Sequence, residues 1–157
     1  PIIFLAFGLG SGLSPKAPGT AGSALSLLFF PVLVALGLWG SIGLIVIASI
    51  FGVWLCGAAA DILNVHDHEA IVWDEFVGQW LTLLPLIPIA AWNLQTYSYL
   101  VLGFALFRLF DILKPWPISW CDKHLEGGFG IMFDDVLAGV AAGGLLWLII
   151  NNGWLAF

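Results

Sequence analysis

Four stretches of the chain, 21–39, 41–60, 97–114 and 134–152, are apolar with little interruption, and polar positions gather between them. A helix needs roughly 20 mostly apolar residues to cross a hydrocarbon core of about 30 Å. Each stretch therefore predicts a transmembrane helix. A fifth, 76–92, is shorter and carries Pro85 and Pro88, which predicts a kinked span or one that ends early against its neighbours. The pattern predicts an all-α fold: a polytopic membrane helical bundle of about five transmembrane helices, with a re-entrant or interfacial N-terminal segment. Trp39, Trp73, Trp92, Trp116, Trp120 and Trp154 fall near the predicted ends, as in the aromatic belts at membrane interfaces.

Threading five spans puts the segment before residue 21, the 61–75 loop and the 115–133 loop on one side. Lys16, Lys114 and Lys123 lie in or beside these segments, with Arg108 near the end of its span, so the positive-inside rule predicts that this side is cytoplasmic. All ten acidic residues fall within or at the edges of the same segments. Nearly every charge thus shares one face of the bundle.

Composition agrees with the pattern. Of 157 residues, 61% are hydrophobic and 9% charged, against about 25% charged in soluble domains, and mean hydropathy is +1.05. The length suits one integral-membrane domain over 1–157. A net charge of −6 with four Lys and Arg in all excludes nucleic acid as a partner, because phosphate-backbone binding needs a basic surplus. Cys56 and Cys121 form no spaced framework of disulfides. Gly139 and Gly143 make a GxxxG spacing, whose ordinary meaning is close helix packing.

The charges carry the candidate chemistry. HDHEAIVWDE, residues 66–75, holds four carboxylates and two histidines. Asp74-Glu75 and Asp134-Asp135 each stand before an apolar run, where a helix N-terminus offers unpaired N–H groups. Capping accounts for one carboxylate per helix, not two, and the second member of each pair is free to face a shared metal. Asp67 and Glu69 read equally well as solvated loop charges. FRLFDILKP places Arg108, Asp111 and Lys114 inside or at the end of an apolar span. An Arg108–Asp111 pair is the bland reading, yet even the lenient insertion scale sets the cost of one buried charge at about 3 kcal/mol. Such a pair more often lines a polar pocket, and Arg suits phosphate through its planar fork of donors.

GLGSGLSPKAPGTAGS, residues 8–23, combines glycines with Ser11, Ser14, Thr20, Ser23 and Lys16, a combination suited to an anion or to an ordinary helix entry. It is not a P-loop. His66 and His68 lack a third nitrogen or sulfur partner for zinc, and hard oxygen donors dominate, which points to magnesium. Cys121 lacks the loop a cysteine phosphatase needs. The reading from residues alone is a membrane-face site for a phosphorylated lipid.

Three blocks now become recognisable together: FGLGSGLSPKAPGTAGS, VHDHEAIVWDEFVGQW and FRLFDILKPWPISWCDKHLEGGFGIMFDDVLAG. In this order, over almost the whole chain, they closely resemble the phosphatidylglycerophosphatase A family. The resemblance implies removal of the terminal phosphate of phosphatidylglycerophosphate to give phosphatidylglycerol, with Mg²⁺, at the bacterial inner membrane. Roles follow from residue chemistry. Asp74, Glu75, Asp111, Asp134 and Asp135 are the expected metal ligands. Asp61 joins Asp74, Glu75, Asp134 and Asp135 as a catalytic candidate, because an acid at a helix C-terminus opposes the dipole. Lys16, Arg108 and Lys114, with Ser14, Thr20 and Ser23, are the expected phosphate-binding set. Attack by water and attack by a carboxylate are both open. The competing reading is a transporter or channel for divalent cations, which would place its charges near the midplane of symmetric halves.

Overall fold

A computed structural model describes residues 1–65 and 68–154. The helices are α1 (Ile2–Ala6), α2 (Pro18–Ser26), α3 (Phe30–Leu63), α4 (Trp73–Leu83), α5 (Leu94–Leu113), α6 (Ile118–His124) and α7 (Gly127–Asn151), with 3₁₀ turns at Gly8–Leu13, Leu27–Phe29 and Leu84–Ile89. No strand occurs among the described residues. Among the described residues, three helical stretches, Pro18–Leu63, Leu94–Leu113 and Gly127–Asn151, are long and apolar enough to cross a membrane. Many of their large side chains, including Ile47, Ile50, Val101 and Trp147, face outward. Such a surface suits lipid.

The first stretch is not one straight rod. Residues eight apart on a helix are about 12 Å apart along its axis, yet the Ser41 hydroxyl donates to the Leu33 carbonyl at 2.8 Å. The chain reverses at Gly37, whose φ of 67° and ψ of 178° leave the helical region; a side chain resists that backbone and glycine does not. Two legs result, 18–36 and 38–63. The turn lies three residues before the Gly40 boundary expected from hydropathy.

α4 is the central element. Phe76, Val77, Gly78, Gln79, Trp80 and Leu83 are all buried, and α7 is its most extensive neighbour. The two backbones meet at glycines: a Cβ on Gly139 would lie 2.5 Å from the Gly78 carbonyl oxygen, and one on Gly143 3.1 Å from that of Leu81. The GxxxG spacing thus serves close packing. Trp80 donates its indole N–H to the Ser26 carbonyl and Trp73 to that of Ala48, both at 3.1 Å. Trp73 therefore ties α4 to α3, a role the aromatic-belt reading did not foresee. Trp39 and Trp116 are more than four-fifths exposed, as interface anchoring requires.

Two elements differ from the pattern. α7 begins at Gly127, so Asp134 and Asp135 lie two turns inside it and not at its N-terminus. Capping cannot explain either. The N-terminal segment packs onto the start of α4, with the Val72 N–H donating to the Ala6 carbonyl at 2.9 Å. A Cβ on Gly12 would overlap the Ala70 carbonyl.

Candidate active site

The charged ends of the legs enclose one cavity of about 600 Å³. The start of α2 contributes Ala17, Pro18 and Gly19, the approach to α4 contributes Glu69, Ile71, Asp74 and Glu75, and the end of α5 contributes Arg108, Asp111, Ile112 and Lys114. Asp122 comes from α6, and Asp134 and Asp135 from α7. Among the described residues, seven acidic and two basic side chains therefore line it. Such an excess of negative charge repels a phosphate unless cations enter with it.

Asp74, Glu75 and Asp135 converge most closely: one carboxylate oxygen from each lies within 4.8 Å of the other two. Asp74 and Glu75 are placed by the first turn of α4, and Asp135 by the glycine contact between α4 and α7. Glu75 Oε2 and Asp135 Oδ2 are buried without a hydrogen-bond partner, although buried polar atoms ordinarily have one. Burial, and next the charge of Asp135, push the Glu75 carboxyl well above its ordinary pKa. Three hard oxygen donors, two of them with orphaned atoms, fit a divalent cation such as Mg²⁺.

The two cations are held differently. Arg108 forms an ion pair with Asp111, one helical turn on. The same guanidinium nitrogen lies 3.9 Å from Glu75 Oε1 and donates to the Ser23 hydroxyl at 3.5 Å. Gly19 makes this crowding possible, since a Cβ there would sit 2.2 Å from Glu75 Oε1 and 3.2 Å from Arg108 Nη1. Lys114 caps α5 in the left-handed region, φ 41°, and donates to Asp122 Oδ1 at 2.5 Å and Asp134 Oδ2 at 2.6 Å. Burial lowers the ammonium's pKa, but the hydrogen bonds to Asp122 and Asp134 more than reverse this, so the net shift is upward.

The structure thus gathers Asp74, Glu75, Asp111, Asp134, Asp135, Arg108 and Lys114 around one space, with Ser23 holding Arg108 from behind. It leaves other expected residues outside the cavity lining. Lys16 is exposed, the Ser14 hydroxyl donates to the Lys16 carbonyl at 2.9 Å, and neither they nor Thr20 line the cavity. Asp61 lines a separate hollow with Asn64, Gly127 and Gly128. His66 and Asp67 lie outside the described residues. Asp122 and Glu69 border the site without having been singled out for it. Asp122 left no sequence signal, being eight residues from Lys114 across Pro115 and Pro117.

The chain resembles known proteins along most of its length. A family model described as phosphatidylglycerophosphatase A matches residues 4–150. The chain is 45% identical over 150 residues to the Escherichia coli (strain K12) protein named phosphatidylglycerophosphatase A, covering 95% of this chain and 83% of that protein. The Haemophilus influenzae protein of the same name is 48% identical over 144 residues, 90% of this chain and 84% of that one. A Bacteroides thetaiotaomicron protein whose name assigns it, provisionally, to phosphatidylinositol-3-phosphatase is 38% identical over 143 residues, 88% and 86% of the respective chains. No solved structure matches the chain. The matched region contains every residue around the cavity, and on that ground the chain belongs to the phosphatidylglycerophosphatase A family.

Proposed function

We propose that this protein is a magnesium-dependent lipid phosphatase that hydrolyses the terminal phosphomonoester of phosphatidylglycerophosphate, giving phosphatidylglycerol and inorganic phosphate. The observation that carries this reading is the convergence of Asp74, Glu75 and Asp135 in a cavity that also holds Arg108 and Lys114. Family membership supplies the substrate class.

In this reading Asp74, Glu75 and Asp135 hold Mg²⁺, with Asp111 and Asp134 close by to complete or tune the site. The chemistry such an ion supplies is polarisation of phosphoryl oxygens and orientation of the attacking oxygen. Arg108 and Lys114 neutralise the phosphate and the charge that builds on it during in-line displacement. Asp111 and Ser23 fix the guanidinium so that little reorganisation is left for the reacting state. Net hydrolysis forms a bond from phosphorus to a water oxygen and breaks the ester bond to the glycerol oxygen, which leaves with a proton.

The placement of the site at one end of the bundle supports a headgroup reaction over ion conduction through the midplane. The lysines at that end support a cytoplasmic active site in a bacterial inner membrane. The test is phosphate release by detergent-purified protein from phosphatidylglycerophosphate and, in parallel, from phosphatidic acid, with a liposome assay of Mg²⁺ flux alongside. Selective release without flux is expected. Flux without release would favour the transporter reading.

A further inference from the structure

Asp122 rides on α6, a seven-residue helix that belongs to none of the apolar legs. The α5 leg ends at Leu113, the left-handed Lys114 turns the chain outward, and Pro115 and Pro117 prevent the helix from continuing. α6 then folds back far enough for Asp122 to reach the same ammonium as Asp134 of α7. The two carboxylates are not equivalent. The Asp134 side chain is 9% exposed, with Oδ1 buried and lacking a hydrogen-bond partner, whereas the Asp122 side chain is 35% exposed.

An ammonium on a flexible stem has three donors and no preferred fork, so its partners decide where it sits. Paired with Asp134 alone, Lys114 would be drawn against that enclosed carboxylate. Shared with Asp122 at nearly equal distances, it is held between the two helices on the cavity wall. Two donors are then used and one remains. Arg108 needs no such help, because Asp111 on its own helix and Ser23 on α2 already fix it.

We propose that Asp122 is a positioning residue for phosphate recognition: it holds the Lys114 ammonium at the cavity wall, so that the remaining N–H meets a phosphoryl oxygen. The proposal rests on the phosphatase reading above for the identity of the anion. In this role Asp122 acts through Lys114 and not on the substrate itself. The location of α6 fits the role, since Trp116 just before it and Trp120 within it, 81% and 52% exposed, offer surfaces suited to the headgroup level where a phospholipid's phosphate arrives.

The alternative is a staple that merely fastens α6 to the bundle. Asp122→Asn separates the two. Positioning predicts a KM for phosphatidylglycerophosphate raised about tenfold, the range found for groups that orient others in a site, with kcat changed by less than about threefold and unfolding temperature in detergent unaltered. The Kd for inorganic phosphate in the presence of Mg²⁺, read by calorimetry, should rise in parallel. Asp122→Glu should restore most of both. In a Lys114→Met background, Asp122→Asn should change neither constant further, because the effect runs through Lys114. Unchanged KM and phosphate Kd in Asp122→Asn would overturn the proposal, as would an equal effect in the Lys114→Met background. Should Asp122→Asn fail to fold, Asp122→Ser carries the same comparison, and failure of both neutral variants to fold would decide for the staple. Wild-type protein that binds phosphate without releasing it from the lipid would sink the phosphatase reading alone, and the Kd comparison would still judge Asp122.

Discussion

A carboxylate two turns inside an apolar helix is costly unless something positive answers it, and Asp135 Oδ2 is enclosed without a hydrogen-bond partner. Lys114 answers Asp134, and Arg108 answers Asp111 with Glu75 nearby. Neither cation is within ion-pair distance of Asp135 among the described residues. A divalent cation bound there, as proposed, would resolve this imbalance. Arg108→Ala should therefore lower kcat/KM by roughly 10²–10³, as loss of a positioned charge in an enclosed site does, while Mg²⁺ affinity changes little, which calorimetry on the folded variant can check. The raised pKa of Glu75 gives a second prediction. Below that raised value and above its ordinary 4.5, the folded metal-free protein binds a proton that the unfolded chain does not. Its stability must then fall as pH rises through that window. Mg²⁺ bound at the proposed site would displace the proton, so affinity should rise over the same window; thermal melts with and without Mg²⁺ at a series of pH values test both signs. Most of these residues were legible in the sequence because charge is so rare there. Which of two adjacent acids faces the centre was not legible, since that depends on where each helix begins and how it is rotated.

At the scale of elements, the site exists because α4 and α7 come together on glycine. Gly139→Ala puts a methyl against the Gly78 backbone, and Gly78→Ala puts one against the buried Phe107 ring and the Asp135 carbonyl, none of which can move aside cheaply. Overpacking of this kind costs about 1–3 kcal/mol, and it should also part Asp135 from Asp74 and Glu75, so Mg²⁺ affinity and melting temperature should fall together. Gly144→Ala is the control: nothing lies within 4 Å of the added carbon, and better helix propensity should leave the melting temperature unchanged or slightly raised. Equal effects at all three positions would remove the packing argument. The GxxxG spacing made the α7 contact legible, but not its partner Gly78, which is a lone glycine in α4. The start of α7 was hidden for a related reason: Gly127, Gly128 and Gly130 dilute the apolar periodicity from which a helix is read. Gly8 and Gly12, read as possible anion cradles, instead admit Ala70, Val72 and Phe76.

For the molecule as a whole, apolar runs made the helical class and the shared charged face legible, because a membrane leaves the backbone few other choices. The cavity itself was not legible, since it is assembled by α2, α4, α5, α6 and α7 from residues far apart in the chain. The topology carries its own prediction. Lys123 is exposed on α6, and Cys56 and Cys121 are buried, so a membrane-impermeant maleimide should label Lys123→Cys in inside-out vesicles and not in intact spheroplasts. Labelling only from the outside would reverse the proposed orientation. In the proposed function the carboxylate cluster holds the metal for phosphomonoester hydrolysis. Its most direct test is phosphate release from phosphatidylglycerophosphate, titrated with Mg²⁺ after EDTA treatment, for wild type and Asp135→Asn. Wild type should release no phosphate in EDTA and recover saturably with Mg²⁺. Asp135→Asn should give a curve displaced to higher Mg²⁺ with a plateau at roughly 1% of wild type or below. Undiminished release in EDTA, or superimposable curves from the two proteins, would rule out a metal role for the cluster.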